Sequence, residues 1–384
     1  MQFFADYNFF LWLAVLSIPA IVLGITEKPI HYYGMLATAV LLWLMLGNNL
    51  RALAYMILFI LCEYALINVY LRIRTGGNSS RALYWFFLML SLSPLILYKL
   101  LGLTGNPHHI LAFIGISYMT FKVAQIIIEI FDGLIKEVRP FDFAYLLLFF
   151  PTILSGPIDR SRRFCKDLQR TILRAEYLEL LGNGIYKILL GMVYKIVIAA
   201  LLYFVMSQLG MGRDALSVIV YFYVYGFYLF FDFAGYSLMA IGAGYIFGIK
   251  VPDNFDRPFL SRNINEFWNR WHITLSHWLR DYVFSRVTMA CMRTKLRKKR
   301  TTVAVIAFMI NMTLMGCWHG LTSYYIIYGI YHGVLLSCYE IVRRKPFYKK
   351  YVGTRWFAFL EWIITLHLVL FGFFIFSGRL NALI

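Results

Sequence analysis

Long apolar runs follow one another along almost the whole chain, and only short polar segments separate them. A helix needs roughly 17–25 mainly apolar residues to cross the hydrocarbon core of a bilayer. The runs that reach or approach this length are residues 9–25, 32–46, 52–71, 82–98, 110–130, 186–206, 216–231, 324–342 and 356–376. A shorter run at 302–315 predicts one further span. The pattern predicts an all-α polytopic integral membrane protein with about 10–11 transmembrane helices, in a single domain covering residues 1–384.

Two segments between these runs are too short or too polar to cross. Residues 143–157 end in Ser155-Gly156-Pro157, and residues 267–289 carry many polar side chains. Non-helical or polar backbone is tolerated at membrane depth only where protein or a water-filled cavity surrounds it. We therefore expect both segments to be re-entrant or interfacial helices around a central cavity.

The amino-acid composition is typical of a membrane protein. Hydrophobic residues make up 61% of the chain and charged residues 15%, whereas about a quarter of the residues in a soluble domain are charged. The formal net charge is +18, which in a soluble protein would suggest a nucleic-acid partner. Here the positive-inside rule accounts for most of it, because short cytoplasmic loops concentrate Lys and Arg. No nucleic-acid partner is therefore expected.

The basic clusters predict an orientation in the membrane. They lie at residues 72–81, 160–174, 293–300 and 343–350, whereas residues 104–109 and 207–214 are poor in net positive charge. An N-terminus outside the cell places all four clusters on the cytoplasmic side, as the positive-inside rule requires.

Several classes of chemistry have no motif in the sequence. The five cysteines form no CxxC pair, so neither a zinc site nor a disulfide framework is predicted. No phosphate-binding motif is present. An enzyme of this design would need a donor that is already activated. Two similar halves, which are common in transporters, are not visible, and this favours an enzyme over a carrier.

The densest polar and aromatic segment is residues 254–282. A helix is predicted to begin near Asn263 or Asn265, since Asn is a good N-cap. On one continuous helix Trp268, His272 and Ser276 would share a face, and Asn269 could join a polar stripe with His272 and Ser276. Ionisable groups in a membrane face cavities or partners. An interfacial helix anchored by its tryptophans would give the same spacing, and the spacing leaves both interpretations open.

A second polar constellation occupies residues 311–320. His319 ends an apolar run and stands between Gly316 and Gly320. These glycines would allow the close backbone approach that a narrow substrate passage needs. A capping or interfacial histidine is the alternative. Cys317 is two positions away and would point to nearly the opposite side of a helix, so a Cys–His pair is not expected. His332, in the next span, is favoured as a hydrogen-bonding residue between helices.

Charged residues also occur inside the apolar runs. Each is a candidate for a functional site, although we expect most of them to lie near interfaces or to pair with one another. They are Glu63, Lys122, Glu129, Lys187, Lys195 and Asp232. Asp232 stands out because a glycine and two hydroxyl side chains follow it within residues 233–237.

Several of these segments resemble the membrane-bound O-acyltransferase family, nearly from end to end. They are YNFF at 7–10, FPTILSGPIDRSRRF at 150–164, FDFAGYSLMAIG at 231–242, NFDRPFLSRNINEFWNRWHITLSHWLRDYVF at 254–284 and NMTLMGCWHGLTSYYIIYGIYHG at 311–333. The resemblance implies the fold of that family, a catalytic histidine after a tryptophan, here His319, and a second catalytic position, here His272. Around them we expect five residues to bind substrate, namely Trp268, Asn269, Ser276, Trp318 and Asp232.

Within that family the chain resembles the branch that transfers D-alanine for lipoteichoic acid D-alanylation in the cell membrane of Gram-positive bacteria. The resemblance implies a donor D-alanine on the phosphopantetheine arm of a small cytoplasmic D-alanyl carrier protein, with no permanently bound cofactor and no metal. It also implies lipoteichoic acid as direct or eventual acceptor and other membrane proteins of the same pathway as partners. The basic residues Arg297, Lys298, Lys299 and Arg300 are predicted to dock the carrier, since carrier proteins are generally acidic.

Three other functions fit parts of the pattern. An O-acetyltransferase of an extracellular polysaccharide, of the alginate type, shares much of it. That branch tends to have an acidic residue where this chain has Leu238, and the SGPIDR sequence at 155–160 favours D-alanyl transfer. A transporter or flippase of an acyl donor or anionic lipid would use the same basic loops and buried charges. The third function is that of a subunit that only scaffolds a transferase on the outer face of the membrane.

Overall fold

The computed structural model describes residues 1–103, 113, 115–209, 212 and 214–383, and these residues are predominantly helical. The α-helices in chain order are α1 (Tyr7–Ile25), α2 (His31–Leu46), α3 (Leu50–Thr75), α4 (Arg81–Gly102), α5 (Ile116–Phe131), α6 (Pro140–Leu148), α7 (Ser161–Gln169), α8 (Arg174–Met192), α9 (Ala200–Leu209), α10 (Ala215–Ile246), α11 (Ile264–Arg270), α12 (Ile273–Leu279), α13 (Ser285–Met292), α14 (Arg300–His319), α15 (Ser323–Val342), α16 (Pro346–Tyr351), α17 (Arg355–Phe376) and α18 (Arg379–Leu383). Within the described part of the chain the β structure is a single isolated bridge between Phe255 and Trp271. The predicted all-α class is confirmed.

Short 3-10 and π-helical turns connect some of these helices. The 3-10 turns are Phe150–Thr152, Pro258–Leu260 and Lys295–Lys298, and the π-helical turns are Val193–Ala199 and Arg280–Phe284.

Eight helices in the described ranges are long and apolar enough to cross a membrane. They are Tyr7–Ile25, Leu50–Thr75, Arg81–Gly102, Arg174–Gln208, Ala215–Ile246, Arg300–His319, Ser323–Val342 and Arg355–Phe376. His31–Leu46 is a shorter apolar helix. The multi-pass architecture is confirmed, although the described residues contain fewer spans than the roughly 10–11 predicted from run length.

The predicted span at residues 110–130 is only partly described. Residues 110–112 and 114 lie outside the described residues, as does the whole predicted loop at 104–109. The described part, α5, has 16 residues, and nearly all of them are buried, including Lys122, Gln125 and Glu129. A helix enclosed by protein on all sides is apolar for the same reason as a membrane span, so run length alone does not separate the two.

Apolar side chains are exposed along the long helices, as expected for surfaces that face lipid. Leu61, Phe86, Leu189, Leu201 and Phe359 are each exposed by more than half of their surface. Such continuous exposure of large apolar side chains is rare on monomeric soluble proteins. The exposed apolar side chains and the eight spans together support a multi-pass membrane protein.

The chain forms two compact units. The first contains residues Met1–Val193 and Gly235–Pro252, and the second contains Tyr194–Ala234 and Asp253–Ile384.

In the first unit the segment at 143–157 is folded against α5. Helix α6 has only nine residues, a length of about 14 Å that cannot cross a bilayer. The Lys122 ammonium donates to the Leu146 carbonyl at 2.7 Å and to Thr152 Oγ1 at 3.1 Å. Just beyond the segment, the buried Asp159 carboxylate forms an ion pair with Arg163. As expected, protein surrounds this segment, although the buried Tyr145 hydroxyl has no hydrogen-bond partner among the described residues.

In the second unit α14 and α15 form a hairpin held by two glycines. A Cβ atom added to Gly316 would lie 2.4 Å from the Tyr325 carbonyl oxygen, and one added to Gly329 would lie 2.4 Å from the Met312 carbonyl oxygen. The backbones of the two helices therefore touch at this point, as small residues permit in membrane helices. Gly320 faces the Tyr325 ring in the same way. The glycines around His319 pack against α15, and the close backbone approach predicted for them is confirmed.

Replacing Gly316 with Ala should destabilise this hairpin, because the new methyl group would collide with backbone that cannot move aside easily. Overpacking costs about 1–3 kcal/mol, so the melting temperature of the detergent-purified protein should fall by at least about 2 °C. Gly182→Ala is the matched control, because Gly182 is also helical but has no atom near its added Cβ. Equal melting temperatures for the two variants would contradict the predicted contact.

Candidate active site

His319 is the last residue of α14 and is half-buried. Its imidazole ring lies among aromatic rings, with centroid distances of 4.7 Å to Trp318 and 5.1 Å to Phe376. Tyr325 and Tyr328 follow at 6.0 and 6.3 Å. Because Gly320, immediately after it, is extended, α14 ends here and the imidazole stands at the helix terminus.

His272 lies at a break in the chain where one continuous helix was predicted. The predicted start is confirmed, since the Asn263 side chain caps α11 by accepting from the Glu266 N–H at 2.9 Å. Helix α11 ends at Arg270 and α12 begins at Ile273. The shared face of Trp268, His272 and Ser276 that a continuous helix would give is therefore wrong.

Backbone pairing explains the break. The Asp256 N–H donates to the Arg270 carbonyl at 3.0 Å, and the Ile273 N–H donates to the Asn254 carbonyl at 2.9 Å. These bonds hold residues 270–273 against 254–256 in a short antiparallel contact. His272 takes a left-handed conformation with φ 43° and ψ 51°, which costs a non-glycine residue about 1–3 kcal/mol. Strain of this kind persists where the surroundings determine it and is concentrated at functional sites.

The His272 side chain is enclosed but not fully hydrogen-bonded. The residue is 3% exposed, and Nε2 has no hydrogen-bond partner among the described residues. Its ring packs edge-on against Phe233 at 4.7 Å. Burial lowers the pKa of His272 well below its usual range, and the nearby His319 lowers it further. His272 is therefore a neutral imidazole, and the atom that lacks a hydrogen-bond partner among the described residues is Nε2.

Trp318 connects the two histidines. Its ring lies 4.7 Å from the His319 ring and 6.4 Å from the His272 ring. The sequence-predicted residues His272, Trp318 and His319 are therefore brought together, although 46 positions separate the outer two along the chain.

Three further predicted residues line one cavity of about 160 Å³. They are Trp268, Asn269 and Ser276. Asn265, His277, Arg280 and Asn311 add polar groups, and Phe284, Phe308, Met312 and Leu336 supply apolar wall. Asn269 and Ser276, two of the three residues of the predicted polar stripe, therefore line one cavity, whereas His272 is not part of its lining.

Asn311 is the cavity residue that sequence reasoning overlooked. It is 8% exposed, and its Oδ1 has no hydrogen-bond partner among the described residues. A buried acceptor without a partner is costly, and a polar ligand in the cavity would relieve that cost. The sequence feature that could have identified Asn311 is its amide side chain inside an apolar span, at the start of the segment that ends in His319.

Asp232 lies elsewhere in the second unit, in an ion pair with Lys195. Lys195 belongs to the π-helical turn Val193–Ala199. The expectation that charges inside spans pair with one another is confirmed for these two residues. Asp232 does not line the cavity that contains Trp268 and Ser276.

His332 has the packing role that was favoured for it. It is fully buried, and the Trp268 indole N–H donates to its Nδ1 at 3.3 Å. This bond links α11 to α15, and Trp268 is one of the residues that line the cavity.

The predicted docking residues Arg297, Lys298, Lys299 and Arg300 are all exposed. They lie in and just after the turn Lys295–Lys298, and the last of them, Arg300, is the first residue of α14, the helix that ends at His319. In the described part of the chain no group of three or more His, Cys, Asp and Glu side chains could hold a metal ion.

A cysteine at position 276 should report whether the cavity holds water. Ser276 lines it and is half-buried, so the Ser276→Cys protein should react with a small aqueous thiol reagent above the background of the native cysteines. The Ser337→Cys variant is the control, because Ser337 is 6% exposed and is not part of the lining. Equal, low labelling of both variants would show that the cavity is closed to solvent.

The similarity of this chain to known proteins covers most of its length. Residues 128–381 match the model of the membrane-bound O-acyltransferase family. The chain is 42% identical to the teichoic acid D-alanyltransferase of Bacillus subtilis, over 98% of each protein. It is 34% identical to the teichoic acid D-alanyltransferase of Lacticaseibacillus rhamnosus, over 100% of this chain and 98% of that protein.

Similarity to alginate-type relatives is less extensive. The chain is 32% identical to the probable alginate O-acetylase of Pseudomonas fluorescens, over 71% of this chain and 52% of that protein. The family resemblance found in the sequence is confirmed, and the chain belongs to the membrane-bound O-acyltransferase family.

Proposed function

We propose that this acyltransferase moves D-alanine from the phosphopantetheine thioester of a cytoplasmic D-alanyl carrier protein to a hydroxyl, with lipoteichoic acid as the direct or eventual acceptor. The observation that carries the proposal is that the rings of His272 and His319 both lie near one residue, Trp318, with ring centroids 6.4 and 4.7 Å from its ring. The similarity to teichoic acid D-alanyltransferases extends over nearly the whole chain. This supports D-alanine over acetate as the acyl group.

His319 is the general base in this proposal. The acceptor oxygen attacks the thioester carbonyl while the imidazole takes the hydroxyl proton. A carbon–oxygen bond forms, the carbon–sulfur bond breaks, and the proton passes to the departing thiolate of the arm. The thioester is already activated, so the reaction consumes no nucleotide. General base catalysis is worth typically 10²–10⁴-fold, and histidine suits neutral pH.

His272 acts on the donor side. Its neutral ring and its Nε2, which lacks a hydrogen-bond partner, suit a hydrogen bond to the bound thioester or a share in moving the proton. The strained backbone and the paired segments around it hold the ring in place before substrate arrives. Such pre-organisation removes the need to reorder the site during the reaction.

The cavity along α14 suits the phosphopantetheine arm. Asn265, Asn269 and Asn311 offer amide groups to the amides of the arm, and the apolar wall suits its methyl groups. Asn311 lies eight residues before His319 on one helix, which is about 12 Å along the axis. An arm that enters near the exposed basic cluster at the start of α14 would pass Asn311 on the way to His319.

We further propose that the N-terminus is outside the cell, which places this basic cluster in the cytoplasm with the carrier. Other membrane proteins of the D-alanylation pathway would then receive the product on the outer side. These assignments rest on the distribution of basic residues.

Replacing His319 with Gln should abolish D-alanyl transfer while the protein remains folded. Glutamine has a similar size and can hydrogen-bond, but it cannot accept a proton at neutral pH. The rate should fall at least about a hundredfold, measured as loss of labelled D-alanine from the carrier by the purified protein.

His367→Gln is the matched control, since His367 is exposed on α17 and bonds to Tyr223 at 3.1 Å. This variant should transfer at the wild-type rate. A well-folded His319→Gln protein with near wild-type activity would show that His319 is not the base.

The basic cluster should control how fast the carrier binds. Changing Arg297, Lys298, Lys299 and Arg300 together to Ser should raise the KM for the carrier and weaken its dependence on salt, because attraction between opposite charges speeds encounter and is screened by ions. The control changes Lys349 and Lys350 to Ser, in another exposed basic segment. The proposal that the carrier docks at residues 297–300 is wrong if both variants keep the wild-type KM for the carrier and its wild-type dependence on salt.

A further inference from the structure

Four aromatic side chains surround the imidazole of His319. The set comprises Trp318, Tyr325, Tyr328 and Phe376, and we call it the aromatic cage. Phe376 joins the two tyrosines, with ring centroids 4.8 Å from Tyr325 and 5.1 Å from Tyr328. Tyr328 is 3% exposed and anchors the cage, whereas the other three residues are half-buried.

A cage of this kind attracts cations. The face of an aromatic ring carries partial negative charge, and a cation within about 6 Å of its centroid is attracted by it. Proteins that recognise ammonium groups surround them with several aromatic rings. If these side chains only packed around the histidine, large apolar side chains such as leucine or isoleucine would serve equally well.

The acyl group of the proposed donor carries such a cation close to its reacting carbon. The amino nitrogen of an alanyl group is bonded to the carbon next to the carbonyl, so it lies about 2.5 Å from the carbonyl carbon. An α-amino group titrates near 7.7–8.0 and is therefore mostly an ammonium at neutral pH. When His319 acts on an acceptor attacking that carbonyl, the ammonium cannot be far from the surrounding rings.

We propose that the aromatic cage binds the α-ammonium of the aminoacyl donor and makes the enzyme selective for aminoacyl over neutral acyl groups. This inference rests on the proposed function, because it takes an aminoacyl thioester as substrate. The rings act as specificity determinants, and His319 remains the base. Each ring contributes to selectivity through its face, so its hydroxyl group is dispensable.

Two donors that differ only in the amino group test the cage. The carrier is loaded with D-alanyl or with propionyl, which lacks the amino group but keeps the carbon skeleton, and kcat/KM is measured for both. In Phe376→Leu and Tyr328→Leu the ratio of D-alanyl to propionyl transfer should fall about tenfold. Because both donors are assayed on one preparation, the ratio is independent of the fraction of protein that is folded.

Matched variants separate the ring face from other effects. Tyr328→Phe and Tyr325→Phe keep the ring and should keep the wild-type ratio. Phe371→Leu removes a ring that packs on Tyr331, outside the cage, and should also keep it. The cage is wrong if transfer of both donors falls in parallel, or if Tyr328→Phe lowers the ratio as much as Tyr328→Leu. Wild-type protein that transfers no D-alanine from the carrier would instead overturn the proposed function itself.

Discussion

Hydrocarbon offers no partner to a backbone N–H or C=O group, so a membrane protein can leave the helical conformation only where its own residues replace the lost bonds. The break at His272 satisfies this condition. Residues 254–256 accept from and donate to residues 270–273, and the Asn254 side chain accepts from Thr274 Oγ1 at 2.8 Å. This pairing turns His272 out of a helix and into an enclosed position near Trp318. The cavity lining at Trp268 and Ser276 depends on the same break.

The two histidines reach the site by different means. His319 is placed by the end of α14, and the contact between Gly316 and Gly329 holds α14 close to α15. His272 needs a strained backbone and a bridge from a separate segment. Trp318 lies near both rings, with its ring centroid 4.7 Å from that of His319 and 6.4 Å from that of His272.

The sequence predicted what depends on local pattern. Apolar runs located most of the spans, the Asn263 cap located the start of α11, and the family motifs placed Trp318 beside His319 and named His272. Features that depend on distant residues were missed. Nothing near His272 predicts a left-handed residue, since its cause lies at 254–256. The burial of α5 results from neighbouring helices, and Phe376 approaches His319 from the far end of the last long helix.

The central claim is that this chain itself transfers the acyl group. It is tested most directly with purified protein in detergent, where no membrane gradient exists. The carrier bearing labelled D-alanine is the donor, and a soluble glycerol phosphate is the acceptor. The account predicts that label leaves the carrier thioester and appears as an ester on the acceptor, in proportion to the amount of protein added. If label stays on the carrier in detergent but moves when a gradient is imposed on proteoliposomes, the chain is a transporter and the claim is contradicted.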